Sequence, residues 1–105
     1  MNEIREYKNV KLVKVVDGDT FDFLVDVGFD VHVSIRTRLL GYNAPEMKTP
    51  EGLPAKNIVI ELFSTARNLV IQTMKDKKCK YGRYLVIVIL DGINLLDLIK
   101  ERTGQ

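Results

Sequence analysis

Between residues 10 and 40 the chain makes three successive runs of β-branched and aromatic residues alternating with polar ones, each closed by a turn signal. A two-residue period sends alternate side chains to opposite faces of an extended strand, so such runs bury their apolar faces only by pairing into a sheet. The first, residues 10–16, carries Val10, Leu12, Val13, Val15 and Val16 interrupted by Lys11 and Lys14, and stops at the turn pair Asp17-Gly18. The second, residues 21–29, sets Phe21, Phe23, Val25, Val27 and Phe29 against Asp22, Leu24, Asp26 and Gly28. The third, residues 31–40, places Val31, Val33, Ile35, Thr37 and Leu39 on one face and His32, Ser34, Arg36, Arg38 and Leu40 on the other. Together they predict an antiparallel meander.

After residue 54 the period changes. Ile58, Val59, Leu62, Phe63, Ala66 and Leu69 recur at helical spacing behind Pro54, which predicts a helix over residues 55–67 and then a strand over 69–74. A further apolar run at 84–90 ends at Asp91-Gly92, and Asn94 is placed to cap a closing helix through Leu95, Leu96, Leu98 and Ile99 that Gly104 stops. Five strands with a helix between the third and fourth and a second helix at the C-terminal end is the order of a small, partly open OB-type barrel, an α+β fold dominated by β structure.

At 105 residues the chain is expected to form one domain spanning 1–105, with residues 1–8 a flexible start. Its 46% hydrophobic and 29% charged content is that of a soluble globular protein without repeats or low-complexity tracts. The longest apolar run is too short to cross a bilayer, and no signal sequence leads the chain, so no membrane association and a cytoplasmic location are expected; a mature secreted form would look the same. The single Cys79 cannot form an internal disulfide, and in a basic loop it reads as a bystander. A net charge of +2 excludes little, but Lys75, Lys77, Lys78, Lys80 and Arg83 crowd one stretch against Asp76 alone.

Three separated segments share a chemical theme: Asp17-Gly18-Asp19-Thr20, then Arg38 through Asn43-Ala44-Pro45-Glu46, then Lys80-Tyr81-Gly82-Arg83. Each has an ordinary structural use when taken alone. Asp-Gly-Asp makes tight turns, Arg38 on a polar strand face and Glu46 after Pro45 are common surface residues, and a basic loop is usually solvated. Jointly they offer oxygen ligands, a carboxylate and two guanidinium groups, the equipment of a metal-assisted phosphodiesterase. Arg36, on the same face as Arg38, is a spare phosphate contact or a solvent-facing arginine, and His32 reads as a surface residue.

In this order and on this layout the three segments resemble the staphylococcal nuclease (thermonuclease) family, from residue 10 to the C-terminus. The resemblance implies a calcium-dependent nuclease acting on DNA or RNA; a monomer is expected, with a dimer left open. It implies Asp19, Asn43 and the backbone carbonyl of Ala44 as calcium ligands, and Glu46 as the base acting on the attacking water. Arg38 and Arg83 are implied as phosphate clamps, with Lys80 and Tyr81 as substrate contacts. Two departures stand out. Position 43 is usually Asp in that family, and an amide oxygen brings no formal charge, so weaker calcium binding is expected. The family usually continues into a further helix and substrate-contacting tyrosines, whereas this chain stops at Gln105. Two rival readings remain open: a non-catalytic nucleic-acid-binding module on the same barrel, and a protein-interaction scaffold with a vestigial site.

Overall fold

The hydrophobic alternation of the first forty residues folds into a three-stranded meander, onto which the rest of the chain is built. The computed structural model describes residues 4–75 and 83–104. In chain order its elements are β1 (Arg5–Tyr7), β2 (Val10–Asp17), β3 (Thr20–Asp26), β4 (His32–Leu39), α1 (Gly52–Thr65), β5 (Leu69–Lys75), β6 (Tyr84–Leu90), β7 (Ile93–Asn94) and α2 (Leu95–Thr103).

The strands form one sheet in the order β1-β5-β6-β4-β3-β2, with β7 pairing to β6. Neighbours run antiparallel except β4 and β6, which are parallel because α1 and β5 intervene between them. Among the described residues the result is a small α+β protein with an open, mostly antiparallel sheet of seven strands and two helices, rather than the five strands expected. The two additions are short: β1 joins the free edge of β5, and β7 is a two-residue return from β6. The segment expected as a loose start therefore contains a strand at residues 5–7. Among the described residues β2 and β5 approach one another without forming a ladder, so closure into a barrel is not established.

Phe21, Phe23 and Val25 on β3 are buried, as their alternation demands, and Phe21 and Phe23 meet Phe63 of α1 edge-to-face at centroid distances of 5.3 and 6.1 Å. Val59 of α1, Ile71, Val86, Val88 and Leu90 of the sheet, and Leu95 and Ile99 of α2 complete this core. A bulge in β2 leaves Val13 as an extra residue between Leu12, opposite Phe23, and Lys14, opposite Asp22. Val13 consequently faces outward, and both Leu12 and Val15 turn inward.

The alternation predicts that the second strand runs to residue 29, but β3 ends at Asp26. Gly28, Phe29 and Asp30 all take positive φ (89°, 58° and 59°), and the Val31 N–H donates to the Gly28 carbonyl at 2.9 Å, closing a tight turn of the I′ kind. Phe29 stands fully exposed at its tip.

Helix α1 starts at Gly52, ahead of the expected residue 55, because Pro54 falls in the first turn where an N–H has no helical acceptor to lose. Helix α2 matches its signals: the Asn94 side chain accepts from the Leu96 N–H at 2.9 Å, and Gly104 closes the helix in the left-handed region. No helix among the described residues is long and apolar enough to cross a membrane.

Candidate functional site

The β2–β3 turn and the end of β4 are joined by register and by backbone bonds. Asp17 pairs with Thr20 across the turn, Thr20 pairs with Arg38, and the Leu39 N–H donates to the Asp19 carbonyl at 2.8 Å. Gly18 is not held in a left-handed conformation; it is required by space. A Cβ there would lie 2.7 Å from the Ala44 Cβ and 3.3 Å from that of Ala55, so the turn is wedged between the 43–44 segment and α1.

This wedge brings Asp19 against Ala44. The Asp19 Oδ2 accepts from the Ala44 N–H at 3.0 Å, its Oδ1 accepts from the Thr20 hydroxyl at 3.1 Å, and the Arg38 Nε lies 3.9 Å from Oδ2. The Arg38 Nη2 donates to the Asn43 Oδ1. Four sequence-predicted residues, Asp19, Arg38, Asn43 and Ala44, thus form one connected cluster.

Asp17 adds a second carboxylate, whose Oδ1 accepts the Asp19 N–H at 3.1 Å. Burial pushes the Asp19 carboxyl above the ordinary carboxylate value and its neighbour Asp17 adds to that, against the pull of the Ala44 N–H and the Thr20 hydroxyl. Burial also acts to raise Asp17, but its hydrogen bonds with Asp19 and Thr20 together outweigh it and leave Asp17 lowered. Burial and the charge of Asp19 both raise the Tyr42 phenol.

Glu46 is placed differently. Its backbone carbonyl accepts from both the N–H and the hydroxyl of Thr49, and a Cβ on Gly52 would come within 2.2 Å of that carbonyl, so its main chain is pinned to the start of α1. Its carboxylate is exposed and pairs with Lys48 at 3.1 Å rather than joining the Asp19–Arg38 cluster. Arg83 precedes β6 directly, two residues before Leu85, the register partner of Arg38 on β4. It therefore leads into the strand that neighbours Arg38. Lys80 and Tyr81 lie outside the described residues, as does Cys79.

A cleft of about 480 Å³ adjoins the cluster through Asn43 and is lined by residues of the 42–51 segment, the start of α1 and the end of α2, among them Tyr42, Pro54 and Ile58. Among the described residues no group of three or more His, Cys, Asp or Glu side chains forms a metal-binding cluster. The expected ligand set asks for only one such side chain, with an amide and a carbonyl supplying the other oxygens. Sequence reasoning used Asp17 only as a turn residue and passed over Tyr42. The Asp-Gly-Asp spacing was the available signal for Asp17, whereas nothing in the sequence marked Tyr42. No protein-family model matches this sequence, and comparison with curated proteins gives no significant match.

Proposed function

We propose that this chain is a calcium-dependent nuclease of the staphylococcal nuclease type, hydrolysing phosphodiester bonds of DNA or RNA as a monomer on a partly open OB-type barrel. The observation that carries the reading is the meeting of Asp19 with Ala44, 25 residues away in sequence, under the guanidinium of Arg38. A structural turn needs no such convergence.

The ligands this reading assigns are oxygens, the Asp19 carboxylate, the Asn43 amide oxygen and the Ala44 carbonyl, a set suited to a hard cation such as calcium. Bound there, calcium would polarise a phosphoryl oxygen and offset the repulsion between Asp17 and Asp19. The Asn43 oxygen is already engaged by Arg38, so its use as a ligand requires that bond to open. Arg38 on β4 and Arg83 just ahead of the adjacent β6 would hold phosphate oxygens with paired donors that strengthen as negative charge builds. Lys80 and Tyr81 would contact the neighbouring phosphate and sugar. Glu46 would take a proton from water as the water oxygen bonds to phosphorus and the opposite P–O bond breaks. Leaving Lys48 is a small obstacle, since exposed ion pairs contribute only about 0–1 kcal/mol.

The engagement of Glu46 by Lys48 and of Arg38 by Asn43 gives the second reading its support: a module that binds nucleic acid without cutting it. Incubation with single-stranded and duplex DNA, in calcium or chelator, separates the two, with Arg83→Ala and Glu46→Ser as controls. Calcium-dependent cleavage lost in both variants is the expected result. Binding without cleavage would favour the second reading, and neither would sink both.

A further inference from the structure

We infer that the cleft beside Asn43 seats an unpaired nucleobase, guanine by preference, of the strand whose phosphate Arg38 holds; this rests on the nucleic-acid reading above. Three features of the cleft carry it. It is continuous with the phosphate-holding cluster, because Asn43 lines it and accepts a hydrogen bond from Arg38. Its lining is largely apolar, with Tyr42, Pro45, Pro50, Pro54 and Ile58, and its volume of about 480 Å³ falls within the range of small-molecule sites. Its polar lining residues include Asn43, Glu51 and Thr103, groups that the rim of a base held between apolar faces could meet.

Charge decides between base and backbone. Among the described residues no lysine or arginine lines the cleft and Glu51 does, a charge that disfavours a phosphate there and favours a ring with N–H donors. Glu51, a lining residue, precedes α1, yet its side chain makes no capping hydrogen bond to the helix, so the helix N-terminus does not engage its two acceptor oxygens. Guanine alone among the bases presents two adjacent donors, N1–H and the N2 amine, to match them. With its oxygen accepting from Arg38, the Asn43 amide keeps its amine as a donor for a guanine acceptor.

The test uses the full chain, isotope-labelled, titrated without calcium with guanosine monophosphate, thymidine monophosphate and inorganic phosphate. Guanosine monophosphate is expected to shift the amide signals of Tyr42, Asn43, Glu51 and Ile58 and to bind about 5-fold more tightly than the thymidine compound. Glu51→Gln should bring the two within about 2-fold of each other, since an amide oxygen accepts at one end only. Ile58→Trp, which fills the cleft, should abolish the preference and leave inorganic phosphate binding unchanged; thermal melting confirms that each variant is folded. Should Ile58→Trp fail to fold, the Glu51→Gln result decides. Equal affinity for the two nucleotides in wild type, or shifts lying away from these residues, would overturn the inference. Cleavage of DNA by a chain that shows no such shifts would end the base seat and keep the nuclease. Shifts in the cleft of a chain that cuts nothing would do the reverse.

Discussion

Asp19 is a carboxylate that folding makes harder to ionise, through burial and through Asp17 beside it. The folded chain consequently holds that proton more tightly than the unfolded chain, and the stability Asp19 contributes falls as pH rises from the unfolded value near 3.8 through the raised folded one. Asp17, lowered, acts in the opposite direction as pH falls below that value. Asp19→Asn should therefore leave the calcium-free protein as stable as wild type or more so at neutral pH, by up to about 1 kcal/mol, and flatten its pH dependence above pH 4. Denaturant titrations at several pH values measure this; a variant clearly less stable than wild type at pH 7 would mean the carboxylate serves the fold rather than a ligand. Phe29 shows a different strain, since a bulky side chain disfavours the left-handed region that asparagine tolerates. Phe29→Asn should stabilise by about 0.5–1 kcal/mol, read as a higher thermal midpoint.

Among elements, the junction of α1 with β5 depends on one side chain from the opposite turn. The Asp91 carboxylate accepts from the N–H groups of Arg67 and Asn68, at 3.0 and 2.8 Å, and its own N–H donates to the Asn68 carbonyl at 3.0 Å. Those amides follow the helix and have no ladder partner, so Asp91→Ala should destabilise the protein by about 2 kcal/mol, seen as a lower denaturant midpoint. An unchanged midpoint would show that water replaces the carboxylate fully. The sequence marked Asp91-Gly92 only as a turn, because a contact spanning 24 residues leaves no local trace. Local signals did better where the physics is local: the Asn94 cap, the Gly104 stop and the alternation of Phe21, Phe23 and Val25 each determine their element with neighbours alone. The strand β1 escaped because three residues at a sheet edge have no period to read, and its partner β5 lies more than sixty residues away.

Across the whole molecule, the parts of the site that could be read were backbone-anchored ones, Asp19, Arg38, Asn43 and Ala44, whose positions follow from a turn, a strand end and a wedge at Gly18. The parts that could not were set by side-chain freedom. Glu46 could be picked as a carboxylate, yet nothing in its neighbours' sequence says whether Lys48 or a substrate water holds it. A ligand that binds only the folded chain stabilises all of it, so calcium should report on the cluster through global melting. At a concentration 100-fold above its dissociation constant the gain is about 2.7 kcal/mol, several degrees in thermal midpoint for a domain this size. Asn43 lends the cation no charge and is tied to Arg38, so wild type should need more calcium than Asn43→Asp to reach the same shift, by about tenfold. Calcium-dependent melting of wild type, Asn43→Asp and Asp19→Asn side by side makes the comparison. The expected order is a shift at lower calcium in Asn43→Asp, at higher calcium in wild type, and none in Asp19→Asn. A shift of equal size in all three would place the cation elsewhere on the protein, and no shift in any would remove calcium from the proposal.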